Sequence, residues 1–174
     1  MAVTAAQRTQ VSQFYVALFG RAPDAEGLDY WTKQLDGGTT PQQVANTMFG
    51  VAPARGYYPD VNNFNQIIGS FYRNVLGRDA DAGGLAYWVG ELTAAKGDFG
   101  VIVVRMIDIV ANYAGTSDPA LNQAGMDSKN LFNNRTSVAQ YYGEKGGGLA
   151  NSTSILGSVT KDAASVVAAK ANMP

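Results

Sequence analysis

The sequence contains no cysteine and no histidine. The first absence removes disulfides and thiolate chemistry, and the second removes imidazole as base, nucleophile or ligand. Together they exclude the usual zinc sites, Cys–His pairs and the serine triad in its common form, leaving only a hard cation on oxygen ligands as a metal option. Charge is scarce too. Only 16% of the 174 residues are charged, against about a quarter in an average domain, and 13 Lys and Arg nearly balance 14 Asp and Glu. No basic run occurs, so a nucleic-acid partner, which requires a clustered Lys/Arg face, is not expected. No apolar stretch approaches the ~18 residues of a membrane span, and the opening MAVTAAQRTQ lacks the charged and apolar segments of a signal peptide. What abounds is small and polar: 20 glycines, with many Ala, Asn, Ser and Thr residues, a composition common in secreted bacterial proteins.

Against this background one phrase stands out because it occurs twice. Phe14 to Trp31 reads FYVALFGRAPDAEGLDYW and Phe71 to Trp88 reads FYRNVLGRDADAGGLAYW, with ten identities in eighteen positions. A repeat this dense indicates one supersecondary unit built twice, the two copies packing on each other. Val11, Phe14, Tyr15 and Leu18 carry the i, i+3, i+4, i+7 spacing of an amphipathic helix that Gly20 ends. After Arg21 and Pro23, Asp24 is placed to cap a second helix with Leu28, Trp31 and Leu35 on its buried stripe. The other copy repeats this with Gly77, Arg78, Asp81, Leu85, Trp88 and Leu92. Arg21, Asp24, Gly27, Trp31, Arg78, Asp81, Gly84 and Trp88 are thus read as a structural corner.

Taken in order, the chain predicts helices throughout. Thr4 and Gln7 make a capping box, and Thr40-Pro41 starts a third helix that stops at Gly50. Helices are expected from about Val61 to Leu76 and from Ala82 to Ala95. A third, capped by Asp98 and apolar on nearly all sides, is assigned to the centre of the core. Ser117-Asp118-Pro119 opens a long helix, expected to break near Gly125, and a closing helix runs from about Asp162 to Ala171. The fold class is all-α. The expected organisation is a bundle of two helix–corner–helix copies, about 5–50 and 61–113, within residues 1–113, with 114–174 as a helical extension packed on them.

Two groups of residues suggest a binding surface. In VAPARGYYPDVNN, Tyr57 and Tyr58 cannot both face the core of so short a turning segment, so at least one ring is expected to be accessible. With Arg55, Asp60, Asn62 and Asn63 they suit a glycan, whose C–H faces stack on aromatic rings and whose hydroxyls need amide and carboxylate partners. The alternative is an ordered linker pinned by its own tyrosines. Tyr141, Tyr142, Lys145 and Asn151 form a secondary group. Trp31 and Trp88 could stack on sugars, but their matched places on apolar stripes favour core packing. Asp79, Asp81 and, in the first copy, Asp24 raise a calcium alternative. The loop has Gly90 where a twelfth-position glutamate would stand, so helix capping is the preferred reading. No cofactor is required, and no carboxylate pair has an evident cleft, so a glycoside hydrolase ranks third among the functional readings.

The corners FGRAPDAEGLDYW (Phe19 to Trp31) and LGRDADAGGLAYW (Leu76 to Trp88) resemble a helical domain-of-unknown-function family that recurs in secreted repeats-in-toxin and surface-layer proteins. The corner is related in character to that of phycobilisome linker domains, which are interaction modules. It also resembles the N-terminal lipopolysaccharide-anchoring domain of a bacterial surface-layer protein. The resemblance implies a non-catalytic module that holds a secreted protein to the O-antigen of the bacterial outer surface, with export by a type I apparatus reading a C-terminal signal. The calcium-binding nonapeptide array of the larger proteins is missing from this sequence. The alternative is a protein–protein assembly or linker module, self-associating in a surface lattice.

Overall fold

The computed structural model describes residues 3–173, and all regular structure in them is helical. Helix α1 (Ala5–Phe19) opens on the expected box: Thr4 Oγ1 accepts the Gln7 N–H at 3.1 Å while the Gln7 side chain accepts the Thr4 N–H at 2.8 Å. It ends at Gly20, whose φ of +62° is open to glycine at little cost. Helix α2 (Ala25–Asp36) is capped by Asp24, and α3 (Pro41–Gly50) by a second box of Thr40 and Gln43 with proline at its first position. The second copy supplies α4 (Phe64–Leu76), again closed by a left-handed glycine at Gly77, then α5 (Ala82–Ala94) capped by Asp81 and α6 (Phe99–Ala111) capped by Asp98. Helices α7 (Pro119–Glu144) and α8 (Ala163–Ala171) complete the chain. Short 3-10 turns lie at Ala52–Gly56, Leu149–Asn151 and Ser154–Leu156. No helix among the described residues is long and apolar enough to cross a membrane.

Across the two copies, two of the equivalent helix pairs meet, α1 with α4 and α3 with α6, and α7 binds both copies together. Helix α3 packs on α6 and α1 on α4, while α7 packs on α1, α2, α4 and α6 and also contacts α8. Gly100 sets how closely α3 and α6 approach, because a Cβ there would stand 2.0 Å from the Gln42 carbonyl oxygen. At the other end of α3, Phe49 stacks on Phe99 with ring centroids 4.0 Å apart. One apolar core runs from Val11 in α1 through Ile67, Phe71 and Ile102 to Phe132 in α7 and Ala169 in α8.

The last carbonyls of a helix have no partner inside it and must find one elsewhere. Here side chains from other segments supply several. Asn74 Nδ2 donates to Ala17 O at 2.9 Å, the Tyr58 hydroxyl donates to Leu18 O, and Arg55 donates to Phe49 O. Ser128 Oγ donates to Leu76 O at 2.8 Å.

Three expectations need correction. Helix α4 starts at Phe64 rather than near Val61, because Asn63 Oδ1 accepts the Gln66 N–H and fixes the cap there. Helix α7 does not break at Gly125. A Cβ at 125 would lie 2.4 Å from the Tyr113 ring, so the glycine makes room for that ring while the helix continues. Helix α6 is not apolar and buried all round: Ile102, Val103, Met106 and Val110 are buried, but Ile109 is 52% exposed.

Two alanine substitutions test this packing. Gly100→Ala should destabilise by about 1–3 kcal/mol through overpacking against backbone. Gly90→Ala, in the middle of α5 with nothing within 4 Å of an added Cβ, should stabilise by about 0.5–1 kcal/mol. Equilibrium denaturation reads both, and a neutral Gly100→Ala would mean that α3 and α6 do not meet as described.

Candidate functional site

Both corners are built the same way. Asp24 Oδ1 accepts the Gly27 N–H at 3.2 Å, and Asp81 Oδ1 accepts the Gly84 N–H at 2.6 Å. Over each of these glycines lies a tyrosine hydroxyl. A Cβ on Gly27 would be 2.3 Å from the Tyr15 oxygen, and one on Gly84 would be 2.6 Å from the Tyr72 oxygen. The following aromatic pairs are edge-to-face in both copies, Tyr30 with Trp31 at 4.8 Å and Tyr87 with Trp88 at 5.2 Å. The identities in the sequence phrase are therefore identities of geometry.

Each corner also walls a cleft. In the first copy Tyr15, Phe19, Arg21 and Trp31 enclose a cavity of about 220 Å3, closed on its far side by Met48, Val51, Pro53 and Tyr57. The Arg21 guanidinium stands over the Tyr15 ring at 5.0 Å and beside Phe19 at 5.7 Å, and Nη1 donates to Ala22 O at 3.3 Å. Tyr57 packs on Phe19 at 5.1 Å and is 41% exposed, with its carbonyl held by Gln66 Nε2 at 3.1 Å. Burial pushes the Tyr15 hydroxyl up to about 12, with the Arg21 charge pulling the other way. The cleft thus offers ring faces and a cation, and no carboxylate lines it.

The same four corner positions in the second copy, Tyr72, Leu76, Arg78 and Trp88, line a cavity of about 390 Å3. Here α6 contributes Met106, Ile109, Val110 and the following Tyr113, and α7 contributes Leu121, Ala124 and Gly125. Arg78 is exposed and has no hydrogen bond or ion pair with another described residue.

The structure divides the residues predicted for a binding surface. Tyr57 lines the first cleft together with Arg21, read from the sequence as a corner residue, and Trp31, for which the sequence favoured core packing over sugar stacking. Tyr58 is a correction. It is fully buried against Phe49 and Phe71 with its hydroxyl on Leu18 O, because a segment returning toward α4 turns one of two adjacent rings inward. Arg55 is turned inward too: Nη2 donates to Phe49 O and the guanidinium stands 4.8 Å from the Phe49 ring, with Nη1 buried and unpartnered. Asp60 accepts the Asn62 N–H in a turn, Asn62 is exposed, and Asn63 is the α4 cap.

In the secondary group, the ammonium groups of Lys145 and Lys170 each stand 5.3 Å from the Tyr141 ring. Tyr142 is a second correction, being buried with its hydroxyl on Gly148 O, while Asn151 is exposed on the following turn. Trp88 is 8% exposed and Trp31 half-buried against the core, so the first tryptophan is the more accessible of the two. Asp24 and Asp81 cap helices in separate copies, and Asp79 pairs with Arg73 at 3.6 Å. Among the described residues no three acidic side chains converge, so the calcium alternative has no ligand set of that kind behind it.

Two features escaped the sequence reading. A groove of about 500 Å3 between α1, α3 and α6 is edged by Gln10, Gln13, Gln42 and Asn112, and the Gln10/Gln13 spacing on one helix face was the available signal. A basic cavity beside α7, lined by Arg78, Arg135 and Lys161, had no local signal at all.

The family model for Domain of unknown function (DUF4214) matches residues 3–52 and 55–98, more than half of the chain and both copies of the corner, and the chain belongs to that family. No curated protein and no solved structure matches.

The buried tyrosines make an alkaline prediction. Burial raises the hydroxyl pKa of Tyr15 to about 12 and that of Tyr58 further, whereas both ionise near 10 in the unfolded chain. Above pH ~10 the unfolded state loses protons that the folded state keeps, so their contribution is intact below ~10 and declines as pH rises toward the folded values. Each tyrosine should steepen the loss by about 1.4 kcal/mol per pH unit. Tyr58→Phe should cost about 0.5–1.5 kcal/mol at neutral pH and roughly halve that slope. Denaturation curves collected from pH 8 to 12 measure it, and an unchanged slope would show that Tyr58 ionises freely in the fold.

Proposed function

We propose that this DUF4214 chain is a non-catalytic binding module of a secreted surface-layer or adhesin-type protein, and that its first corner cleft holds glycan of the lipopolysaccharide O-antigen at the bacterial surface. The observation that carries the reading is the convergence of Tyr15, Phe19, Trp31 and Tyr57 around one cavity with the Arg21 guanidinium at its edge. Sugars are recognised by aromatic faces on their C–H surfaces and by a few polar groups on their hydroxyls. At about 220 Å3 the cavity is small beside the ~300–1,000 Å3 of drug-sized pockets, which suits one ring or the end of a chain. Hydrolysis of a glycosidic bond would need two carboxyl groups facing each other across the substrate, and this cleft has none. The same reading makes the domain an exported one, anchored outside the outer membrane.

A second reading, an assembly module, has its own observation: Ile109 and Leu121 stand 52% and 65% exposed at the rim of the second cleft. Concentration-dependent sedimentation without glycan affinity would favour it.

The deciding experiment is binding of the purified domain to lipopolysaccharide with and without O-antigen, in calcium and in chelator. Binding should require the O-chain, should be equal in calcium and chelator, and should fall at least tenfold in Tyr57→Ala with little change in stability. Undiminished binding to lipopolysaccharide that lacks the O-chain would overturn the glycan assignment.

A further inference from the structure

Arg135, in the middle of α7, is half-buried, and its Nε is shielded from solvent with no hydrogen-bond partner. No carboxylate among the described residues pairs with it, and burial pulls its pKa down. Withdrawing a guanidinium from water without a counter-charge is unfavourable, and a fold normally removes that cost by pairing or by exposure. Arg135 has neither. It lines a cavity of about 480 Å3 between the end of α4, α7 and the Val159–Lys161 segment, where Arg78 and Lys161 also stand. The one acid there is Asp127, and it is already engaged, by Lys161 at 3.5 Å and by Gln123 Nε2 at 2.8 Å. The lining therefore carries three cations against one carboxylate, in a chain whose overall charge is −1.

We propose that this cavity is an oxyanion site, taking the carboxylate or phosphate group of an acidic saccharide, with Arg135 as its principal ligand and Arg78 as the second. A guanidinium presents parallel N–H donors that match either oxyanion in a bidentate way, and such charge-assisted bonds are the strong ones. Arg78 also lines the aromatic cleft of the second copy, so the ring of the same sugar has Trp88 and Tyr113 within the adjoining cavity. The anion site stands apart from the first cleft. Only the saccharide part of its ligand rests on the glycan reading, and the anion is inferred from Arg135 itself.

The test is titration of the domain with glucuronate, inorganic phosphate and, as neutral control, glucose, following the Arg135 Nε–Hε resonance by NMR. Saturable shifts with glucuronate or with phosphate are expected, weakening as salt is added, with none from glucose. Response to glucuronate assigns a uronic ligand, and response to phosphate alone a phosphorylated one. Arg135→Gln should lower anion affinity at least tenfold while leaving the melting temperature unchanged or higher, since it removes an unpaired cation. Arg78→Gln, at an exposed position, should lower affinity severalfold without touching the core. Tyr57→Ala should leave anion binding as it is, which separates failure of the first cleft from failure of this site. Absence of any saturable anion response, or an Arg135→Gln variant that melts lower yet binds unchanged, would overturn the proposal.

Discussion

The open carbonyls at the end of α1 are the constraint on which the rest of the molecule depends. A helix that ends inside a protein needs donors for its last turn. Helix α1 obtains them from two places: Asn74, in the second copy, and Tyr58, in the segment between the copies. These two bonds tie the first corner to everything that follows it. With Tyr58 drawn inward, its neighbour Tyr57 is left facing the corner, and the small aromatic cleft is the result. The proposed binding surface is thus a by-product of how a helix end is satisfied.

Duplication gave two corners with the same internal geometry, but different neighbours close them. The first is walled by the linker turn at Ala52–Gly56 and Tyr57, the second by α7, whose Gly125 accommodates Tyr113. The first is consequently narrow and ring-lined. The second is wider, more aliphatic, and continuous with the cationic cavity on α7 through Arg78.

How far the sequence could be read follows from the range of the interactions concerned. Caps and boxes are local chemistry, so Thr4 with Gln7, Thr40-Pro41, Asp24, Asp81, Asp98 and Asp118-Pro119 all announced helix starts that the structure contains. Gly125 was misread because its reason is a ring twelve positions away, invisible to a rule about helix breakers. Tyr58 and Arg55 looked available because a polar, proline-bearing stretch says nothing of which side chain reaches back to a distant carbonyl. The meeting of Tyr15, Trp31 and Tyr57 is tertiary, and helical spacing placed Tyr15 only on the apolar face of α1. Arg135 gave no signal. A lone cation in a polar helix is ordinary until the one carboxylate near it is seen to be engaged elsewhere.

The pairing of α3 with α6 bears on how such a chain could have arisen. The two helices hold equivalent places in the two copies, and each covers the apolar face of the other. A chain half as long, with one copy, would carry that face with nothing to cover it. The natural cover is the same face on an identical chain related by a two-fold axis, an isologous contact of the commonest kind. Fusion of two such subunits would turn a concentration-dependent association into a permanent one, and would then free the two halves to diverge, one keeping a ring-lined cleft and the other gaining a charged neighbour.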